Sequence, residues 1–309
     1  METIEVKHSV SFKNILVTTD FSDVSKKAAP YAAAIANRYG SKIYVVHVIS
    51  PEGRTPIPIE PLPVELDDGR QSAKLEMKAF LRSNSLGEAP HEVVLEEGPI
   101  WDVLSSLIAR DEIDLLVLGT HGRGGLKKLF LGSVAEELFR LAACPVLTVG
   151  PAVPAKPTGV GGFARILFAT DFGPASLHAL HYAISLAAEN KANLILLHVV
   201  TPVPAVAVGP YWYPGADLVE RQKTAKARSI NRLRQLIPPE ANLPFDPEFV
   251  VDFDFAAEAI VKIAADSQAD LIVMGVNQAA SARVSAHLPW ATAHEVVCHA
   301  TCPVLTVRS

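Results

Sequence analysis

The chain has 309 residues, enough for one large domain or for two of about 150 residues each. Apolar residues make up 49% and charged residues 20% of the sequence, which is typical of a globular protein and excludes a disordered chain. The net charge of −5 argues against a nucleic-acid partner, and no apolar run is long enough to cross a membrane. Because a secretory signal is not apparent and the three cysteines form no disulfide framework, we expect a cytoplasmic protein.

The sequence contains an internal repeat, because its two halves are similar to each other. The segment NILVTTDF that begins at Asn14 recurs as RILFATDF at Arg165, and the hexapeptide CPVLTV occurs at both Cys144 and Cys302. A segment rich in proline and glycine, without apolar periodicity, separates the two copies. The predicted divisions are a first domain, 1–152, a linker, 153–162, and a second domain, 163–309.

Short apolar runs alternate with helical patterns in each copy. In the first copy, in chain order, the pattern predicts strands near 14–19, 42–49, 92–96, 114–119 and 145–149, and helices near 23–39, 72–82, 100–110 and 133–141. Every strand looks too apolar to have one face in water, which predicts a parallel sheet covered on both faces. Right-handed crossovers then give the α/β fold class: two tandem doubly wound, Rossmann-like domains, each with a five-stranded parallel sheet in the order 3-2-1-4-5.

The last strand of each copy, CPVLTV, is short, apolar and free of charge. As an exposed sheet edge it would invite association with other chains. We therefore expect the two final strands to cover each other, so that the tandem chain forms an internal pseudo-dimer.

Three predicted strand ends mark a candidate ligand crevice, because open parallel sheets bind ligands beyond the carboxyl ends of their strands. Asp20 follows the first strand, Val48 ends the second, and Gly119 ends the fourth and opens the loop GTHGRGGLKKLFLGS. Glycine allows backbone N–H groups to approach phosphate oxygens. The helix that starts near Val134 offers further free N–H groups, which favour an anion by about 0.3–1 kcal/mol.

The loop fits a known family signature. A P-loop or a dinucleotide-binding glycine motif is not present after the first strand. Residues 119–133 instead fit G-x2-G-x9-G-[ST], the nucleotide signature of the universal stress protein family, and the TDF, HVI and CPVLTV segments are similar to that family in both halves. The chain thus resembles a tandem universal stress protein, which implies ATP binding.

The resemblance also implies which residues hold the nucleotide. Thr18 and Val48 would line the adenine pocket, Asp20 would face adenine or ribose, and the phosphates would lie on Gly119, Gly122, Gly132 and Ser133. From the loop sequence itself, His121 and Arg123 are candidates for phosphate contact, and Val134 belongs to the helix start. Mg²⁺ can join the phosphates, but no separate metal site and no catalytic residue is assigned.

The second copy departs from this pattern. After Gly275 the second glycine is replaced by Gln278, and the following loop QAASARVSAHLPW contains no glycine. Depending on the direction of counting, Leu288 or Trp290 stands where Gly132 stands in the first copy. Since side chains would fill the space of the phosphates, we expect one ATP site per chain, in the first half.

Other conspicuous residues have ordinary explanations. His47 and His198 end buried strands and are interpreted as hydrogen-bonded core histidines. Cys144 and Cys302 are interpreted as small buried hydrophobic residues, and the spacing between 294 and 302 does not favour zinc. The cluster Tyr211, Trp212 and Tyr213 caps the second crevice or marks a partner surface, and the sequence does not choose between these.

The leading functional hypothesis is a regulatory ATP-binding protein in the stress response, without a dedicated active site. One alternative is a slow ATPase or an ATP-dependent transferase, and another is an interaction module without a ligand. Since members of the family are commonly dimeric, we also expect a homodimer of the tandem chain. The protein partner, the stress signal and the choice among ATP, ADP and AMP are left open.

Overall fold

The computed structural model describes residues 10–50, 63–83, 86, 89–120, 131–157, 162–201, 215–277 and 289–308. In this part of the chain no helix is both long and apolar enough for a membrane span. The elements of the first half are β1 (Asn14–Thr18), α1 (Asp23–Tyr39), β2 (Lys42–Ile49), α2 (Pro63–Ser83), β3 (His91–Glu97), α3 (Ile100–Arg110), β4 (Leu115–Gly119), α4 (Ser133–Leu141) and β5 (Val146–Val149). Those of the second half are β6 (Arg165–Ala169), α5 (Pro174–Asn190), β7 (Asn193–Val199), α6 (Gly215–Gln235), β8 (Glu248–Asp252), α7 (Ala256–Asp266), β9 (Leu271–Val276), α8 (Pro289–His299) and β10 (Val304–Arg308).

The described strands join in one ten-stranded sheet, in the order β3-β2-β1-β4-β5-β10-β9-β6-β7-β8. Within each half all pairings are parallel, and the register places Leu16 beside Tyr44 on one side and Leu116 on the other. The helices α1, α2, α5 and α6 cover one face, and α3, α4, α7 and α8 cover the other. The predicted class, two doubly wound α/β domains, is confirmed.

The two halves meet along their last strands. β5 and β10 pair antiparallel, with Leu147 beside Leu305. Thr148 Oγ1 donates a hydrogen bond to the carbonyl oxygen of Val304 at 3.1 Å, and Thr306 Oγ1 donates to that of Val146 at 3.3 Å. The predicted internal pseudo-dimer is confirmed, and these reciprocal bonds show that its two-fold symmetry extends to buried hydroxyl groups.

A second reciprocal contact lies on one face of this junction. Phe12 of the first half packs beside Tyr182 of the second, with ring centroids 6.4 Å apart, and Phe163 packs beside Tyr31 at 6.5 Å. The Tyr31 hydroxyl donates to the carbonyl of Pro154 at 3.1 Å, and burial raises the pKa of Tyr31 to about 12. The connection between the halves is therefore fastened to the first helix.

Helix α1 illustrates how the sequence sets the layers. The side chain of Ser22 caps its start by accepting the N–H of Ser25, and Gly40 ends it with a φ of 67°. Ala28, Ala32 and Ala36 form its fully buried stripe. Such small side chains allow the helix axis to lie close to the sheet.

Two expectations about the elements are wrong. Helix α2 begins at Pro63 and not near 72. The prediction missed its first turns because their sequence carries no regular apolar stripe. The third strand is not buried on both faces: β3 is the edge of the sheet, and Val93 is 40% exposed. Its glutamates lie in water, where Glu92 pairs with Lys42 at 2.7 Å.

Candidate functional site

A hydrogen-bonded turn follows β1 at the edge of the crevice. Thr19 Oγ1 accepts the N–H of Phe21 at 2.9 Å and lies 3.0 Å from Ser25 Oγ, which ties the turn to the first turn of α1. These bonds hold Phe21 in a left-handed conformation, with a φ of 64°. His47 Nδ1 donates to the carbonyl of Thr19 at 2.8 Å, and its ring lies 4.4 Å from that of Phe21. His47 is hydrogen-bonded as expected, but it is half-buried and not part of the closed core.

The second half repeats this turn almost bond for bond. Thr170 Oγ1 accepts the N–H of Phe172 at 2.9 Å and lies 2.9 Å from Ser176 Oγ. His198 Nδ1 donates to the Thr170 carbonyl at 2.8 Å, and its ring lies 4.4 Å from that of Phe172. The same is therefore true of His198.

The sequence prediction did not assign a role to Thr19 or Ser25. The available signal was a threonine followed six residues later by a serine in both copies, at Thr19 and Ser25 and again at Thr170 and Ser176. Because the spacing is the same in two copies that otherwise differ, it indicates that the two hydroxyl groups have the same structural role in both halves.

The residues predicted for the adenine side lie together at the carboxyl ends of β1 and β2. Thr18 is the last residue of β1 and pairs with Val46, two residues before Val48 on β2. Asp20 follows directly, and its Oδ1 accepts the N–H of Ser22 at 3.0 Å. Thr18, Asp20 and Val48 are all half-buried, which is the exposure expected at the wall of a crevice.

The glycine-rich loop leaves the sheet and returns to the same point. The N–H of Thr120 donates to Val149 O at 3.0 Å, and the N–H of Gly132 donates to Thr120 O at 2.8 Å. The two ends of the loop are thus joined beside the end of β4. Residues 121–130 between them, which include the predicted His121, Gly122 and Arg123, lie outside the described residues.

Helix α4 begins at this closure. Gly132 is its N-cap, with φ −61° and ψ 148°, and as a glycine it supplies no side-chain cap. Ser133 is exposed and Val134 half-buried in the first turn. Because a helix start leaves its first N–H groups without intrahelical partners, these amides are suited to an anion.

Gly119 has a second explanation, in packing. A Cβ atom on Gly119 would stand 3.0 Å from the backbone nitrogen of Ser25, and one on Gly275 would stand 2.2 Å from the carbonyl carbon of Ala175. Gly275 therefore has to be glycine, and Gly119 stands in a contact tighter than side chains usually make, where the first turn of the neighbouring helix approaches. Packing thus favours glycine at this position in both halves, so Gly119 by itself is no evidence for a phosphate.

The second half has a cavity of about 120 Å³ at the corresponding strand ends. Asp171 is the charged residue among the described lining residues, and its Oδ1 accepts Gly173 N–H and Ser176 Oγ–H, both at 2.8 Å. The other lining residues are small, apolar or neutral: Ala169, Thr170, Ala175, Ser176, Leu197, Val199, Ala256, Ile260, Met274, Gly275, Asn277 and Thr292. A ring-sized neutral group fits a space of this size.

The helix start of the second half differs from that of the first. Counted back from Cys302, α8 begins two residues earlier than α4 does when counted from Cys144, and its first residue is Pro289. Proline has no N–H to offer an anion. Gln278, Leu288 and the cluster Tyr211, Trp212 and Tyr213 lie outside the described residues.

The thiols are buried and protonated. Cys144 and Cys302 both lie in the buried core, which confirms their interpretation as small hydrophobic residues, and this burial raises the pKa of each to about 12. Within the described residues there is no group of three or more side chains that could hold a metal ion. Near the C-terminus, His299 is exposed and its Nδ1 donates to Glu295 O at 2.8 Å, whereas Cys298 is buried.

The fold defines the class of the protein: a tandem pair of doubly wound α/β domains, each with a switch point in its strand order, where such folds bind ligands. The sequence model of the universal stress protein family matches residues 11–150 and again residues 162–308. The chain belongs to the universal stress protein family.

Similar proteins agree with this assignment. A universal stress protein of Methanocaldococcus jannaschii is 34% identical over 143 residues, which is 45% of this chain and 82% of that protein. A universal stress protein of Mycobacterium tuberculosis is 29% identical over 272 residues, covering 84% of this chain and 86% of its own. The crystal structure of a universal stress protein from Archaeoglobus fulgidus superposes with a TM-score of 0.65 at 19% identity, covering 96% of this chain and 98% of the other. This last similarity shows that the tandem fold is shared over the whole chain.

Proposed function

We propose that the first half binds ATP in the crevice between β1 and β4, and that the protein acts in the stress response as a nucleotide-responsive regulator with one site per chain. The observation that carries the proposal is the closure of the glycine loop. The Gly132 N–H to Thr120 O bond of 2.8 Å places an uncapped helix start next to the strand ends that carry Thr18 and Asp20.

The adenine side of the site combines apolar surface with hydrogen-bonding groups. Val48 supplies an apolar wall on β2, and Thr18 supplies a hydroxyl group at the end of β1. Asp20 is held by its bond to the Ser22 N–H, so its carboxylate has a fixed orientation toward adenine or ribose. Small-molecule sites are usually built in this way, from apolar walls and a few placed polar groups.

The phosphate side uses backbone groups. The first-turn N–H groups of α4 at Ser133 and Val134 favour a negative group through hydrogen bonds and through the helix dipole. His121, Gly122 and Arg123 belong to the loop between the two anchors and would complete the cradle. Mg²⁺, where present, would be held chiefly by the phosphates, because no group of ligating side chains occurs among the described residues.

The second half is proposed to bind ATP far more weakly or not at all. Its helix begins with Pro289, which removes one of the first-turn N–H groups, and the loop from Gln278 to Trp290 contains no glycine. A loop without glycine is less able to bring its backbone N–H groups close to phosphate oxygens.

Nucleotide released by acid from the freshly purified protein tests this function. We expect one adenine nucleotide per chain, and chromatography of the released material identifies it as ATP, ADP or AMP. Incubation of the loaded protein with Mg²⁺ should convert ATP to ADP no faster than a slow background rate. A purified protein that releases no nucleotide and takes up none when ATP is added would favour the interaction module without a ligand.

A further inference from the structure

Three alanines line the cavity of the second half at positions where the first half carries larger residues. The pairs, in chain order, are Ala169 and Thr18, Ala175 and Val24, and Ala256 and Ile100. Each pair stands at the same place in its half: the end of the first strand, the first turn of the next helix, and the first residue of the third helix. The second half has therefore lost side-chain volume at three points around one space, which widens its crevice.

The base of this cavity is buried and apolar. The register places Ala169 beside Leu197 on one side and beside Met274 on the other, and both neighbours line the cavity. Met274 is 5% exposed, and its thioether is a favourable neighbour for an aromatic ring. A closed apolar cavity of about 150 Å³ holds a benzene molecule. This cavity has about 120 Å³ and is open on one side, so a single planar ring fits at its base while a substituent reaches the mouth.

Polar groups surround the mouth of the cavity. Asp171 Oδ1 already accepts two hydrogen bonds, whereas its Oδ2 has no hydrogen-bond partner among the described residues. Asn277 brings a side-chain amide to the same lining, and Thr292 brings a hydroxyl group where the first half has Val134. A carboxylate oxygen accepts a donor, and an amide both donates and accepts. The mouth therefore suits an uncharged polar substituent that carries an N–H or O–H group.

We propose that the crevice of the second half binds an uncharged compound with a single planar ring and an N–H or O–H donor. Protein interiors leave few voids larger than a water molecule, so a widened base beside three polar side chains indicates a ligand. The ring lies between the alanines and Met274, and its donor meets Asp171. This inference does not depend on ATP binding in the first half, because the residues that carry it all belong to the second.

NMR of the nucleotide-free protein, labelled with ¹³C at its methionine methyl groups, tests the site with benzamide as the probe. Met274 lines the cavity, whereas Met77 is buried on α2 in the first half and serves as an internal control. We expect benzamide to shift the Met274 signal with a Kd of about 1 mM, an ordinary affinity for so small a ligand, and to leave Met77 unchanged. Benzoate has the same shape but would bring a second carboxylate to Asp171, so it should bind at least tenfold more weakly.

Two variants return the volume of the first half to the cavity. Ala256→Ile should weaken benzamide binding at least tenfold, and Ala169→Thr several-fold, because each side chain occupies space that the ring needs. The first half carries these residues at the same positions, so the fold accommodates them, and an unchanged Met77 signal verifies folding. The matched control is Ala227→Ile on the exposed surface of α6, which should leave the titration unchanged.

Three results would overturn the proposal. The first is a Met274 signal that does not move as benzamide approaches its solubility limit. The second is benzoate that binds as tightly as benzamide, which would exclude the proposed contact with Asp171. The third is wild-type affinity for benzamide in both Ala256→Ile and Ala169→Thr, which would place the probe outside the cavity.

Discussion

The two crevices of this chain share one end and differ at the other. At the end of the first strand, both halves have the same threonine, phenylalanine, serine and histidine, with hydrogen-bond lengths that agree within 0.1 Å. At the helix start they differ: the first half has Gly132 and Ser133, whereas the second half has Pro289 and its neighbours. What is repeated in both halves maintains the fold, and what is kept in one half is the better indicator of the ligand.

The largest effect is expected when the first half receives the large side chain that the second half carries at the corresponding position, Trp290. Gly132→Trp should weaken ATP binding roughly a hundredfold or more, because an indole at the N-cap overlaps the space of the phosphates and overpacking costs about 1–3 kcal/mol or more. Titration calorimetry measures the loss. The matched control is Ala291→Trp at the start of α8, which should leave binding unchanged. Wild-type affinity in Gly132→Trp would mean that the phosphates lie elsewhere.

Alanine at the two strand-end glycines sharpens the distinction between packing and binding. A Cβ at Gly275 comes within 2.2 Å of Ala175 backbone, whereas one at Gly119 comes no closer than 3.0 Å to the helix. We expect Gly275→Ala to lower the free energy of unfolding by about 3 kcal/mol and Gly119→Ala by about 1 kcal/mol. Urea denaturation checks the order. A larger loss of stability in Gly119→Ala would show that α1 and α5 do not pack against β4 and β9 as described.

The smallest effect separates two neighbouring threonines. Thr19→Val and Thr170→Val each break the turn bond to a phenylalanine N–H, so each should destabilise the fold by about 1–2 kcal/mol, and by similar amounts. Thr18→Val, at the crevice wall, should cost little stability but reduce ATP affinity a few-fold. Denaturation and calorimetry on the three variants measure both quantities. A marked inequality between Thr19→Val and Thr170→Val would contradict a purely structural role for the turn.

The sequence predicted most of the fold because local signals were consistent with one another. The strand β2 was placed at its observed bounds, 42–49, and α1 at 23–39, since an apolar run and a capped alanine-rich stripe leave little freedom. The pairing of β5 with β10 followed from the lack of charge on CPVLTV. By contrast, β3 was expected to be buried on both faces because its valines and leucine are apolar, although the predicted order 3-2-1-4-5 already put this strand at the sheet edge.

The site could be predicted only in part, for a physical reason. Thr18, Asp20 and Val48 follow strand ends, so topology alone brings them together. The role of Thr19 depends on a side-chain bond across six residues, and the bond of His47 to the Thr19 carbonyl depends on how β1 and β2 pair. Neither kind of interaction leaves a periodic pattern in the sequence.

The stoichiometry of ATP binding, measured by titration calorimetry on the intact chain, tests the central asymmetry most directly. The unequal helix starts predict a single site per chain, and that site should disappear in Gly132→Trp. Two equivalent sites per chain, or a single site that survives Gly132→Trp, would contradict the account.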